Sequence, residues 1–111
     1  MYQGPLGLLD PGDGGHIAPN AYGQICEMAT AGAETRTLGT PTKAGIRFHL
    51  RVATYVGDAV VTCDATVNVA GNNTMTFEQV GDGVDLISVT DAGALRWDIL
   101  ENIGAVALST V

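Results

Sequence analysis

Basic residues are scarce in this sequence. Lysine and arginine together number 5, against 12 aspartates and glutamates, which gives a net charge of -7 at neutral pH. Proteins that bind nucleic acid gain affinity by neutralising phosphates with clustered cations. The five bases are instead scattered through an acidic chain, so we expect no nucleic-acid partner. They are Arg36, Lys43, Arg47, Arg51 and Arg96.

Long hydrophobic runs are also missing, although 46% of the 111 residues are hydrophobic. No stretch approaches the roughly 18 apolar residues that a membrane-spanning helix needs, so we expect no membrane partner. The opening residues lack the basic and apolar regions of a secretion signal, and we expect none. With only 15% charged residues, the chain does not resemble a disordered acidic tail, and its length suits one small domain.

Residues suited to catalysis or metal binding are few. The two cysteines, Cys26 and Cys63, form no C-x-x-C pair, so zinc and thiol redox chemistry lack their spacing. We expect buried free thiols, with one disulfide as the alternative. His16 follows a glycine-rich stretch and His49 faces solvent on a predicted strand, so neither is placed as a general base is. Neither a G-x-S-x-G nor an H-E-x-x-H motif is present.

Two further patterns have a functional and a structural interpretation. Asp82 with Asp85, and Asp10 with Asp13, offer oxygen ligands, but fewer than the six that calcium takes; we interpret them as turn residues. Trp97 could stack on a sugar, but it alternates with core positions of a strand, which favours packing. We therefore predict that the chain is not an enzyme and holds no metal or cofactor.

The first 23 residues differ in composition from the rest. They contain six of the glycines and three of the four prolines, which disfavour helices and central strands. They also carry apolar side chains that an isolated tail would rarely expose. We predict an irregular N-terminal arm over residues 1–23 that packs on its own domain or on a neighbour, followed by a single β-domain over residues 24–111. The candidate partner-binding residues of the arm are Leu6, Leu8, Leu9, Ile17 and Tyr22.

Residues 24–111 predict successive strands. Over residues 45–54, hydrophobic side chains alternate with polar ones, which is typical of a half-buried strand. Further strands are predicted at residues 59–63 continuing through 65–69, 74–80, 84–90, 94–100 and 103–109. Residues 25–29 fit either a strand or a short helical turn, and we favour a strand that ends at residues 31–32. Glycine- and aspartate-rich turns separate the strands at intervals of about ten residues.

These strands predict an all-β fold. Parallel pairing requires long crossovers, usually helical, and the chain has no room for helices between its strands. We therefore expect a small antiparallel β-sandwich or barrel, jelly-roll-like, with the irregular arm attached. Open edge strands in such a fold are often covered by oligomerisation.

A small basic stripe forms the remaining candidate surface. Arg47, His49 and Arg51 share one face of the alternating strand. Two interpretations stay open: a solvated sheet face whose arginines pair with carboxylates, or a docking patch for an acidic partner. Arg47 and Arg51 are accordingly candidate partner-binding residues.

Residues 35–108 carry a family resemblance. LGTP at residues 38–41 precedes AGIRFHL at 44–50, and GDGVDLISV at 81–89 precedes LRWDIL at 95–100. This pattern resembles a β-rich module of tailed-bacteriophage virion proteins, and it is most similar to capsid decoration (cement) proteins. A tail- or fibre-associated binding module is the alternative within that resemblance.

The resemblance implies a viral structural protein. Such a protein is made in the bacterial host cytoplasm and sits as a homotrimer on the outer capsid surface of the virion. Its partner is the major capsid protein, and it stabilises contacts between neighbouring capsid subunits.

Overall fold

A computed structural model of the chain describes residues 6–19 and 23–110. Among these residues there is no helix, and ten β-strands account for the regular structure. The prediction of an all-β fold is therefore confirmed. The strands are β1 (Leu6–Leu8), β2 (Gly15–Ile17), β3 (Gly23–Ala29), β4 (Glu34–Leu38), β5 (Arg47–Thr54), β6 (Ala59–Cys63), β7 (Thr74–Phe77), β8 (Gly83–Asp91), β9 (Ala94–Ile103) and β10 (Ala107–Ser109).

The strands form two five-stranded sheets that pack face to face as a sandwich. The first sheet has the order β1-β3-β5-β8-β9, and the second has the order β10-β7-β6-β4-β2. From β1 to β6 the chain changes sheet after every strand, so odd-numbered strands enter the first sheet and even-numbered strands enter the second. Nothing in the described part of the chain offers a helix long and apolar enough to cross a bilayer.

The expectation of mainly antiparallel pairing is wrong. Of the eight pairings between described strands, β1–β3, β3–β5, β2–β4 and β4–β6 are parallel, and the other four are antiparallel. The prediction assumed that a parallel crossover requires a helix. Here a strand of the facing sheet makes each crossover: β4 connects β3 to β5, and β3 connects β2 to β4.

The core lies between the sheets and is mostly aliphatic. Along β5, Phe48, Leu50 and Val52 are fully buried, as the alternation predicts. Trp97 of β9 is also fully buried, with its ring centroid 6.2 Å from that of Phe48. This confirms core packing for Trp97 and leaves no exposed ring face for a sugar.

The predicted strand at residues 65–69 does not form. The chain leaves β6 after Cys63 and continues as irregular backbone, in which the side chains of Ala65 and Val67 are buried. The carbonyl of Thr66 accepts a hydrogen bond from the Trp97 amide at 2.9 Å. The apolar side chains of this segment therefore fill the core next to β9, and its backbone does not continue strand β6.

The described part of the predicted arm, residues 6–19 (the leading segment), contributes β1 and β2. Each has only three residues and lies at the edge of a sheet, where glycine and proline nearby are tolerated. Ile17 of β2 belongs to the core. The leading segment is thus more regular than its composition predicts, and it packs on its own domain.

Candidate docking surface

The leading segment is fixed to the sandwich by a buried ion pair. Asp10 accepts two hydrogen bonds from Arg36 of β4, from Nε to Oδ1 at 2.6 Å and from Nη2 to Oδ2 at 2.8 Å. The Arg36 side chain is fully buried, and the Asp10 side chain is 17% exposed. Such two-point pairing fixes orientation as well as position.

Backbone groups complete the environment of the pair. The Asp10 carboxylate also accepts hydrogen bonds from the amides of Ala29 at 2.9 Å and Gly12 at 3.2 Å. Arg36 Nη2 donates to the Ala29 carbonyl at 3.1 Å. Burial alone would raise the pKa of Asp10, but the hydrogen bonds from Arg36, Ala29 and Gly12 outweigh it and lower that pKa.

A second carboxylate lies beside the guanidinium. Glu34 Oε1 is 3.0 Å from Arg36 Nη2, which is an ion pair without hydrogen-bond geometry. The other carboxylate oxygen, Oε2, accepts a hydrogen bond from the amide of Ala31. Arg36 Nη1 is buried without a hydrogen-bond partner. One arginine therefore holds two carboxylates and one carbonyl, and losing either carboxylate would leave a poorly compensated buried charge.

One sequence pattern indicates that Arg36 is buried. Arg36 and Leu38 lie two residues apart on β4, so they share a face, and Leu38 is buried. Period-two alternation therefore places Arg36 inward. A buried arginine requires a carboxylate partner, but no sequence rule identifies Asp10 as the one that supplies it.

The candidate partner-binding residues of the predicted arm have different environments. Leu8 is partly buried and packs against the core, and Ile17 is buried. Leu9 is 92% exposed, although it directly precedes the anchored Asp10. Leu6 begins β1, whereas Tyr22 lies outside the described residues. Among Leu8, Leu9 and Ile17, whose side chains the structure describes, Leu9 is the one presented to solvent on a fixed backbone.

The predicted basic stripe lies on the outer face of the first sheet. Arg47 donates to Asp85 at 2.8 Å, and Arg51 donates to Glu27 at 2.5 Å. Glu27 and Arg51 are directly opposite each other on β3 and β5. The structure therefore brings the two arginines into cross-strand ion pairs, as in the interpretation of a solvated, charge-paired sheet face.

The candidate reactive residues are not gathered into one site. Within residues 6–19 and 23–110, no group of three or more His, Cys, Asp or Glu side chains is placed to hold a metal. His16 Nδ1 lies 2.8 Å from the Thr37 hydroxyl oxygen on the adjacent strand. Cys26 and Cys63 are free and buried, as predicted, and burial raises their thiol pKa values to about 11 and about 12.

Large apolar side chains remain exposed at several places outside the leading segment. Leu100 and Ile103 lie on β9, at the edge of the first sheet, and are 50% and 42% exposed. Val80 lies in the turn before β8, and Val69 in the loop after β6 is 81% exposed. Exposed apolar groups at a sheet edge are typical of surfaces that another chain covers.

Neither a scan against models of known protein families nor a search of curated proteins finds a match to this sequence.

Proposed function

We propose that this chain is a structural virion protein, which binds the outer surface of a viral capsid and stabilises contacts between the major capsid subunits. The observation that carries the proposal is Leu9. This apolar side chain is almost fully exposed, and the Asp10–Arg36 pair fixes the backbone next to it. An apolar side chain held in place loses little conformational entropy when a partner covers it.

The charge of the chain supports an outer position on the capsid. A net charge of -7 would repel packaged DNA, whereas it is compatible with the outer face of a shell. The motifs of residues 38–50 and 81–100, which resemble those of phage decoration proteins, support the same function. Repeated copies on one particle would raise the apparent affinity without strong single contacts.

Deleting residues 1–23 would be a poor test of the proposal. The deletion removes Asp10 and the core residue Ile17, so a loss of binding would not distinguish docking from folding. A point change at Leu9 leaves both in place. The matched control is Val69→Ser, which changes an exposed apolar residue in a loop far along the sequence.

The experiment adds labelled protein to particles of the encoding virus that lack it. We expect the unsubstituted chain and Val69→Ser to decorate the shell equally, and Leu9→Ser to bind at least about tenfold more weakly, in line with the loss of a central apolar contact. Electron microscopy of the label gives its location. Label at the tail tip would favour the tail-associated module instead, and no label on particles would contradict both.

A further inference from the structure

Among the described residues, the first sheet ends in two edge strands of very different length. At one edge lies β1, with three residues; at the other lies β9, with ten. The edge strands of the second sheet, β2 and β10, have three residues each. Natural proteins usually shorten or cover their edge strands, because unpaired backbone groups attract other strands. β9 is therefore the exception among the four described edges.

Part of β9 is covered within the chain, and part is open. The Trp97 amide points away from β8, since it donates to the Thr66 carbonyl. In a strand, backbone groups of alternate residues point to the same side, so the amide of Ile99 also points away from β8. Beyond Trp97 the described residues place no strand along this edge.

Apolar exposure coincides with the open part. Leu100 has no opposite residue, because Ile99 is opposite Leu86 and Glu101 is opposite Asp85. Leu100 is thus the extra residue of a β-bulge, and it is half exposed, as is Ile103 at the end of the strand. The Ile99 amide and the side chains of Leu100 and Ile103 therefore offer a partner both backbone and apolar contacts.

Charge argues against two β9 strands pairing with each other. Asp98 and Glu101 lie on the outer face of this edge, opposite Ile87 and Asp85 of β8. In a symmetric β9–β9 pairing that sets Asp98 opposite Glu101, carboxylates of both copies would come together, which is unfavourable. The one cation of this strand, Arg96, is already paired with Asp91 and Asp98 of its own chain. The strand at the other edge, β1, consists of Leu6, Gly7 and Leu8 and carries no charged side chain.

Strand direction also favours β1 as the partner. β1, β3 and β5 are mutually parallel, and the two antiparallel steps from β5 to β8 and from β8 to β9 restore the original direction. β1 and β9 therefore run the same way. A second copy rotated about an axis along the strands would place its β1 parallel to the β9 of the first.

We propose that the open edge of β9 binds β1 of a second copy of this chain, so that the first sheets of successive copies join into a closed ring. This head-to-tail contact uses a different surface on each copy. The ring closes when the rotation from one copy to the next is a whole-number fraction of a full turn. Leu100 and Ile103 of one copy then lie next to the uncharged β1 of the next.

The inference deepens the proposed function, since it states how copies of the virion protein contact one another. It is tested on the purified chain alone. Failure of self-association and failure to bind capsids are therefore separate results.

The test compares three variants that each add one negative charge. Leu100→Asp and Gly7→Asp place a carboxylate at the β9 and β1 edges, and Val69→Asp is the control in an exposed loop. Gly7 accepts a side chain within the fold, because an added Cβ would meet only atoms of Ile25 at 3.5 and 3.6 Å, which is ordinary contact. Circular dichroism and urea unfolding of each variant check that the monomer still folds.

Sedimentation over a range of concentrations measures association. We expect the unsubstituted chain and Val69→Asp to form the same oligomer, and Leu100→Asp and Gly7→Asp each to weaken association by about tenfold or more. Leu100→Asp would place a carboxylate against the uncharged β1, where it loses water without gaining a partner. Gly7→Asp would bring a carboxylate close to Asp98 and Glu101 of β9, and like charges repel. A monomeric unsubstituted chain would overturn the proposal. So would equal association of all variants, or weakening by Leu100→Asp without weakening by Gly7→Asp.

Hydrogen exchange gives a residue-level readout on the same samples. The Asp98 amide points to β8 and is expected to exchange slowly in every sample. The Ile99 amide is expected to exchange slowly in the oligomer and rapidly in the Leu100→Asp monomer. Rapid exchange of the Ile99 amide in the oligomer would show that another surface makes the contact.

Discussion

Asp10 and Arg36 are 26 residues apart in the sequence, yet they form a two-point hydrogen-bonded ion pair at 2.6 and 2.8 Å. The pair links the leading segment to β4 of the second sheet. The Asp10 carboxylate also accepts a hydrogen bond from the amide of Ala29, which lies on β3 of the first sheet. One carboxylate therefore connects the leading segment with both layers of the sandwich.

Replacing Asp10 by asparagine should destabilise the fold strongly. The change removes the charge that compensates the buried Arg36 and leaves only Glu34 beside it. We expect a loss of about 3 kcal/mol in the free energy of unfolding, measured with urea. The control is Asp13→Asn, since Asp13 accepts a single exposed hydrogen bond from the Thr35 amide; its cost should stay below about 1 kcal/mol. Equal losses for the two variants would contradict a special role of the buried pair.

The same carboxylate predicts an acid-sensitive contribution to stability. The pKa of Asp10 in the folded chain lies below its ordinary value of 3.8. The unfolded chain therefore takes up the proton first as pH falls. The stability that ionised Asp10 contributes is fully present at pH values well above 3.8. It is lost as the pH falls through the lower pKa that Asp10 has in the folded chain. Urea unfolding between about pH 2 and pH 6 should show a steeper loss in the unsubstituted chain than in Asp10→Asn. Parallel curves would contradict this.

Gly57 should tolerate no side chain. A Cβ at this position would overlap the backbone of Gly32 and lie 2.5 Å from the Ala33 amide nitrogen. Gly57→Ala must therefore displace backbone, and we expect a loss of about 2 kcal/mol or more in urea unfolding. Gly32→Ala is the matched control, because nothing lies within 4 Å of its added Cβ; its effect should be within about 0.5 kcal/mol.

The turn between β8 and β9 offers a stabilising change. Asp91 is opposite Ala94, so Ala92 and Gly93 form a two-residue hairpin turn, with φ values of 51° and 84°. Asparagine adopts this left-handed region more readily than alanine. We expect Ala92→Asn to raise the free energy of unfolding by about 0.5–1 kcal/mol. Gly93→Ala should lower it, and a gain from both changes would contradict the assigned turn.

The two thiols should be unreactive in the folded chain. Both are buried, with pKa values raised to about 11 for Cys26 and about 12 for Cys63, so thiolate is rare at pH 8. With a thiol-reactive disulfide reagent, we expect negligible reaction in buffer and reaction of both cysteines in urea. Rapid reaction of either thiol in buffer would show that its strand opens readily.

The sequence predicts the strands best where one face is buried. Phe48, Leu50 and Val52 alternate with Arg47, His49 and Arg51 because β5 is central in its sheet and its inner face lies in the core. The alternation has the same period in parallel and antiparallel sheets, so it carries no information about direction. This is why the parallel pairings of β3 with β1 and β5 were not predicted.

The candidate site was harder to predict than the strands. β1 and β2 are short edge strands, and backbone pairing and a few contacts stabilise them in spite of their composition. The Asp10–Arg36 pair depends on the register of three strands from two sheets, and no local pattern encodes it. Leu9 is exposed because Asp10, the next residue, turns inward to Arg36.

The alternation of β1 to β6 between the sheets has a consequence for the evolution of the fold. Each successive pair of strands makes one turn of a flattened coil and adds one parallel strand to each layer. A duplication of one such turn, such as β3 with β4, would add one strand to each sheet and leave the path of the remaining chain unchanged. A coil of this kind can grow by whole turns, as solenoid proteins do, whereas a sandwich assembled from hairpins alone has no such repeating unit.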